Sequence, residues 1–246
     1  MAMGAAALLL GLFLGFHGAR RNLPMALAIT AVFAIVGRIA RGVSASGMLA
    51  GAVIAFILAG RDVRAFVVLL IVFLLTLAAT RLGRSRKQQL HVAEPESGRS
   101  ASQVMANLSI AGLVLALPDF HAGYLLALAA LAEAASDTAS SEIGSVFRGK
   151  TVLITNWKEV TPGTDGGISV SGTLAATLAA LAVAATSRIL GLASTSQAAM
   201  IAGAGVFGML VDSVIGAAFE RRGYLNNDLV NLLGTASAVG LAALIA

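Results

Sequence analysis

Nine apolar runs alternate with charged or turn-rich breaks along the chain, near residues 3–17, 23–36, 47–59, 63–80, 103–117, 121–136, 167–187, 197–216 and 228–246. None shows the polar-in, apolar-out alternation over about ten residues that marks a membrane strand. The pattern therefore predicts an all-α integral membrane protein, a polytopic bundle of about nine transmembrane helices (seven to nine) in a single domain, 1–246. Several runs fall short of the roughly 20 residues needed to cross a bilayer, and 47–59 is short enough to be re-entrant. The first run has no basic residues before it, Arg20 and Arg21 coming after. It resembles neither a cleaved signal peptide nor an Arg-rich transit peptide, and is expected to be a retained first span.

Composition strengthens this reading. Hydrophobic residues make up 58% and charged residues 12%, against roughly 25% charged in soluble domains, and mean hydropathy is +0.88. Glycine is abundant at 27 residues and alanine dominates the apolar runs. Segments such as Gly11 to Gly15 and Gly47 to Gly51 are therefore expected to let helices pack closely. With no cysteine, disulfides, thiolate catalysis and Cys-ligated metals are excluded. His17, His91 and His121 are too scattered for a zinc site.

Charge then orients the bundle. Arg38, Arg41, Arg81, Arg84, Arg86, Lys87, Arg99, Arg148, Lys150, Lys158, Arg221 and Arg222 fall on one side, and Arg20, Arg21, Arg61, Arg64 and Arg188 on the other. By the positive-inside rule the richer side is cytoplasmic, which predicts a multi-pass protein of the cell (inner) membrane with its N-terminus inside. The three long polar segments, 81–102, 137–166 and 217–227, share that cytoplasmic face, so any chemistry is expected there.

Each segment carries a candidate constellation. Gln103 and Asn107 stand one turn apart just after Arg99, where a helix start offers N–H groups and a positive dipole end to a phosphate, with Arg99 as a bidentate clamp. Arg84, Arg86 and Lys87 read as an ordinary solvated basic loop. In "ASDTASSEIG" (135–144), Glu133, Asp137 and Ser141 recur every four residues and share a helix face, with Glu142 farther round. Carboxylates interleaved with hydroxyls suit Mg²⁺, whose shell a nucleotide's phosphates would complete. The structural alternatives are hydroxyls bonded back to helix carbonyls and a Glu142–Arg148 pair. "GSVFRGKT" (144–151) satisfies the P-loop expression, but it follows an apolar helix and leads into the strand-like "VLITNW", the reverse of a P-loop's setting; Lys150 is kept only as a phosphate contact.

"TPGTDGG" (161–167) brings Gly163, Thr164, Asp165, Gly166 and Gly167 before a helix start, where backbone N–H groups can converge on an anion; a capped loop is the plainer alternative. Asp212 interrupts an apolar run, and intramembrane acids are costly unless partnered; a bond to a neighbouring hydroxyl is its structural alternative. Asn227, Asp228 and Asn231 gather at the start of the last run, Asn227 and Asn231 one turn apart.

Taken in order, "SGRSASQVMANLS", "ASDTASSEIG", "VTPGTDGGISVSGTLAA", "VDSVIGAAFE" and "NNDLVNLLGT" resemble the integral-membrane family of the plant phytyl-phosphate kinases and their bacterial relatives, over about residues 47 to 240. That family looks related to the phytol and dolichol kinases and to membrane cytidylyltransferases. In place of Asp165 the relatives carry Asn. The resemblance implies a polyprenyl substrate, a nucleoside triphosphate, often CTP, and Mg²⁺. It matches Asp137, Ser141 and Glu142 to the acidic motif, Gly163, Thr164, Gly166 and Gly167 to the glycine loop, Asp212 and Ser213 to the late acidic pair, and Asn227, Asp228 and Asn231 to the final cluster.

The expected activity is phosphoryl transfer to an isoprenyl monophosphate such as phytyl or geranylgeranyl phosphate. Asp137, Glu142 and Asp212 are the expected catalytic acids, and Asp137, Ser141, Glu142, Asp212 and Asp228 the expected metal set. Phosphate contacts are expected from Arg99, Gln103, Asn107, Lys150, the glycine loop, Asn227 and Asn231. No nucleic-acid partner is expected, and a homodimer is left open. Nucleotidyl transfer to a lipid phosphate and a cation- or proton-coupled transporter are the competing functions.

Overall fold

The computed structural model describes residues 23–117, 122–147 and 149–246. The expected span 3–17, together with Arg20, Arg21, His17, His121 and Arg148, lies outside the described residues. The helices are α1 (Leu23–Ile39), α2 (Ala45–Arg61), α3 (Val63–Arg81), the short α4 (Arg84–Gln89), α5 (Ala101–Ala116), α6 (Gly123–Gly144), α7 (Val170–Ile189), α8 (Thr195–Ala218) and α9 (Asn227–Ile245). A 3₁₀ turn, Glu220–Arg222, links α8 to α9. The predicted helical membrane bundle is the observed architecture.

Among the described residues four helices, α3, α7, α8 and α9, are long and apolar enough to cross a membrane, whereas α1, α2 and α5 are shorter. The expected count of nine spans is accordingly looser than the pattern suggested. Segment 47–59 forms a continuous helix. It lies within α2, which runs unbroken from its Ser44 cap, beside Arg99, to Asp62 at the far end. At that far end Arg64 donates to Leu190 O (3.3 Å), tying the α2–α3 turn to the α7–α8 turn.

Helix α6 is the axis of the bundle, packing against α3, α5, α7, α8 and α9. Its Leu125–Ala135 stretch is buried on every side, the expected position for a helix that is hydrophobic all round. The outer helices invert the soluble pattern. On α7, Val170, Leu174, Leu178 and Leu181 recur every three to four residues and are exposed, Leu178 at 67%. An outward apolar stripe of this kind is matched to lipid rather than water.

Polar segment 137–166 is more structured than a loop. α6 continues to Gly144, and the chain then builds a small antiparallel sheet of β1 (Thr151–Leu153), β2 (Glu159–Val160) and β3 (Gly167–Ser169) in the order β2-β1-β3. Thr151 pairs with Val160 on one side and Ser169 on the other. Gly166 docks this sheet on α8. It adopts φ +72°, and a Cβ there would collide with Ser213 O and the Ala217 backbone. Gly166→Ala is therefore expected to cost about 2 kcal/mol or more, from the left-handed backbone and the clash together. A clear drop in melting temperature in detergent is the expected readout, with Gly203→Ala, where a Cβ meets nothing within 4 Å, as the unaffected control.

Candidate active site

Two cavities meet at the end of the bundle where the polar segments gather. The first, of about 250 Å³, is lined by Asp137, Ser141 and Glu142 from α6, Gly163, Thr164, Asp165, Gly166 and Gly167 from the glycine loop, Asp212, Ser213 and Gly216 from α8, and Asn227 and Asn231 from α9. The second, of about 350 Å³, is mainly apolar and lies among α1, α2, α3 and α5. Glu94, Arg99, Gln103 and Asn107 line both.

Helix α6 delivers three acids to this end, and each has a different setting. Glu133 is buried; its Oε2 accepts from Thr235 Oγ1 (2.7 Å) while Oε1 has no partner. Asp137 and Asp212, the latter on α8, line the same polar cavity, and Asp212 Oδ2 is buried without a partner. Close approach at Gly208 and Gly234, where a Cβ would strike Glu133, brings α8 and α9 up to these carboxyls.

Glu142, read above as a free metal-binding and catalytic acid, is committed elsewhere. Lys87, at 1% exposure, donates to Glu142 Oε2 (2.5 Å), Ala79 O (2.7 Å) and Thr80 O (3.0 Å). Those three bonds use all the ammonium's protons. Thr80 Oγ1 donates to Glu142 Oε1 (2.9 Å), and Arg99 stands 4.0 Å from the same oxygen. The solvated-loop reading of Lys87 is thus overturned: the acid at the end of α6 draws it beneath the end of α3.

Other expected roles also shift. The α5 start is not an open phosphate site, because Ser100 and Gln103 form a capping box and Ser46 Oγ accepts from Ala101 N. Gln103 Nε2 is further held by Glu94 (3.1 Å). Asn107 donates to Gln103 O and leaves its own buried Oδ1 unpartnered. Ser141 bonds back to Asp137 O and Thr138 O, the helical alternative raised for it.

Lys150 lies outside both cavities, 81% exposed and 3.8 Å from Glu159, since β1 carries it away from the bundle. Asp228 also lies outside the cavities, in the first turn of α9, where a negative charge complements the helix dipole. The residues brought together are therefore Arg99, Gln103, Asn107, Asp137, Ser141, Glu142, the glycine loop, Asp212, Asn227 and Asn231.

Sequence reasoning missed Lys87, Thr80, Glu94 and Glu220, the last two lining the polar cavity. The S-x-x-Q spacing of Ser100 and Gln103 signalled the capping box; no local signal marked Lys87.

No group of three Asp, Glu, His or Cys among the described residues is arranged to hold a metal alone. Two carboxylates, with phosphate oxygens and water completing the shell, are the ordinary protein share of a Mg²⁺ site. Asp137 and Asp212, with the unpartnered Asp212 oxygen, fit that share.

A bundle of apolar helices with an outward apolar stripe, enclosing an acid-lined polar cavity beside an apolar one, defines a polytopic membrane protein. The chain belongs to the family described as integral membrane protein DUF92, which matches residues 28–239. It is 33% identical over 217 residues to the uncharacterized membrane protein MJ0933 of Methanocaldococcus jannaschii, covering 87% of this chain and 90% of that one. It is 34% identical over 212 residues to the chloroplastic protein VTE6 of Arabidopsis thaliana, covering 78% of this chain and 62% of the plant protein. The membrane protein sll0875 of Synechocystis is 32% identical over 195 residues, covering 73% and 74%. No solved structure matches the chain.

Lys87→Met strands Glu142 as a buried unpaired charge and is expected to cost about 3–5 kcal/mol. Reversible unfolding in mixed micelles measures this, and adding Glu142→Gln to the same chain is expected to recover most of the loss.

A second expectation concerns pH. Burial raises the Asp165 carboxyl above its ordinary value, against the pull of Arg221. The folded chain then holds this proton more tightly than the unfolded chain, so Asp165's contribution is present at acid pH and lost as pH rises from the ordinary carboxylate value through the raised one. Asp165→Asn should flatten the melting temperature across that window, and an unchanged slope would count against it.

Proposed function

We propose that the protein is a Mg²⁺-dependent membrane kinase that transfers a phosphoryl group from a nucleoside triphosphate, with CTP the favoured donor, to an isoprenyl monophosphate. One observation carries this reading: the polar and apolar cavities share Glu94, Arg99, Gln103 and Asn107. A lipid phosphate is a molecule with its charge at such a junction, and its chain and head group would occupy the two sides. The motif resemblance to the phytyl-phosphate kinases supports the same substrate class. The site is assigned to the cytoplasmic face, where nucleotide is available and the positive-inside count puts it.

In this reading Arg99 holds the acceptor phosphate at the junction, its guanidinium already oriented by Thr138 (3.3 Å) and Glu94 (3.7 Å). Asp137 and Asp212 hold Mg²⁺, which when bound neutralises charge on the donor phosphates. Asn227 and Asn231 supply neutral amides on the nucleotide side, and Gly163, Gly166 and Gly167 keep part of the loop's wall free of side chains, where phosphates can lie close to backbone.

An acceptor oxygen forms a bond to the γ-phosphorus as the bond from that phosphorus to the β–γ bridging oxygen breaks, and nucleoside diphosphate leaves. The acceptor is already ionised, so the step needs no strong base. Lys87 and Glu142 act as positioning residues, keeping α6 in register with α3.

The test is a product assay on purified protein with Mg²⁺, CTP or ATP, and phytyl or geranylgeranyl monophosphate, run beside Asp137→Asn. Isoprenyl diphosphate is the expected product, reduced on the order of a hundredfold or more in the variant through loss of metal-phosphate stabilisation. A CDP-lipid with pyrophosphate would reassign the site to nucleotidyl transfer. Absence of nucleotide consumption with every lipid phosphate, together with stabilisation by an ion alone, would replace the kinase with a transporter.

A further inference from the structure

The apolar cavity has a definite floor and one open wall. Along α3 its lining runs from Leu69 to Arg81, about 18 Å at 1.5 Å per residue. At the deep end Phe33 stands edge-on to Phe66 and Phe73, with centroids 5.3 and 5.2 Å apart. At the shallow end Arg41, Arg81 and Arg84 ring the mouth beside Arg99. Arg81 and Arg84 donate to the backbone carbonyls of Ala40 (2.6 Å) and Glu94 (3.3 Å), and the arginines outnumber Glu94 and Glu96, the acids that line the same mouth. A slot that is cationic at one end, aromatic at the other and apolar between matches a linear lipid with an anionic head.

Part-way down, Gly51 on α2 lines the cavity, and a Cβ built there would meet nothing within 4 Å. Many glycines in this bundle serve close packing: a Cβ at Gly47 would strike Arg99 O, and one at Gly112 would lie 2.8 Å from the Ile54 side chain. Gly51 packs against nothing. Its Cβ position is open on the stretch of α2 that lines the cavity.

We propose that this cavity is a chain-length ruler for the isoprenyl substrate, with Phe33 as its floor and Gly51 as the opening that admits the longer chains. The proposal rests on the kinase reading for the identity of the head group, but chain selection is measurable without turnover. Isoprene units beyond the depth of Gly51 lie between that glycine and Phe33. A side chain at position 51 would occupy their path, while a smaller residue at position 33 would lengthen it. Phe33 and Gly51 line the apolar cavity and not the polar one, so chain preference and phosphoryl transfer are separable.

The experiment measures binding of geranyl, farnesyl and geranylgeranyl monophosphate to the purified full chain without nucleotide, by radioligand titration. Turnover with Mg²⁺ and CTP is followed in parallel. Gly51→Leu is expected to weaken geranylgeranyl phosphate relative to geranyl phosphate by roughly ten- to a hundredfold, because the displaced methylene groups return to water or lipid. Its melting temperature without ligand is expected to stay close to the native chain's, since a Cβ at this position meets no atom within 4 Å. Phe33→Ala is expected to shift preference toward the longest chain offered, and a bulkier Gly51→Phe should restrict binding to geranyl phosphate.

Unchanged chain preference in the Gly51 variants would overturn the ruler even where diphosphate is formed. Chain-selective binding that follows position 51, with no phosphoryl transfer by the native protein, would uphold the ruler and remove the kinase. Absence of binding by all three lipids would overturn both.

Discussion

The ammonium of Lys87 is enclosed by the end of α3 and the carboxylate of Glu142, and the geometry of the polar end follows from that enclosure. Withdrawing a charge from water costs several kcal/mol unless its partners are complete. Completeness here requires two carbonyls from the last turn of α3 and one carboxylate from the last turns of α6 to converge on one point. Thr80 closes the arrangement by donating to the other oxygen of Glu142. Once α3 and α6 are locked together, Arg99 falls between Glu142, Glu94 and Thr138, and the junction of the two cavities is set.

The division of labour among the acids of α6 follows from their partners rather than from their chemistry. Glu142 is neutralised by Lys87 and holds helices together. Glu133 is anchored by a hydroxyl from α9. Asp137 and Asp212 face the polar cavity from α6 and α8. Two carboxyls so placed repel unless a proton or a cation lies between them, and that unmet requirement separates these two from the structural pair.

Much of this was legible in the chain because bilayer burial forces a clear pattern. Among the described residues the apolar runs are helices, and Asp137, Glu142, Asp212 and the glycine loop line one cavity with Asn227 and Asn231. What escaped was set by distant partners. "RSRK" reads as a solvated run because nothing nearby distinguishes Lys87 from Arg86, and only the carbonyls of Ala79 and Thr80 and an acid far along the chain make it a buried residue. The start of α5 was read as an anion site although its Ser and Gln satisfy each other. Lys150 and Asp228 matched the right composition at positions that the β1 strand and the first turn of α9 point elsewhere.

The Lys87–Glu142 bond also has a history within each molecule. Its partners are 55 residues apart in sequence, and the bond joining Glu133 to Thr235 spans 102. A chain made from its N-terminus therefore presents Lys87 long before its carboxylate exists, and must keep that ammonium hydrated at the membrane surface while α5 and α6 are still arriving. The same holds for Glu133 until α9 emerges. The interior is thus closed in stages, and a chain stopped before Thr235 leaves Glu133 buried without its hydroxyl partner.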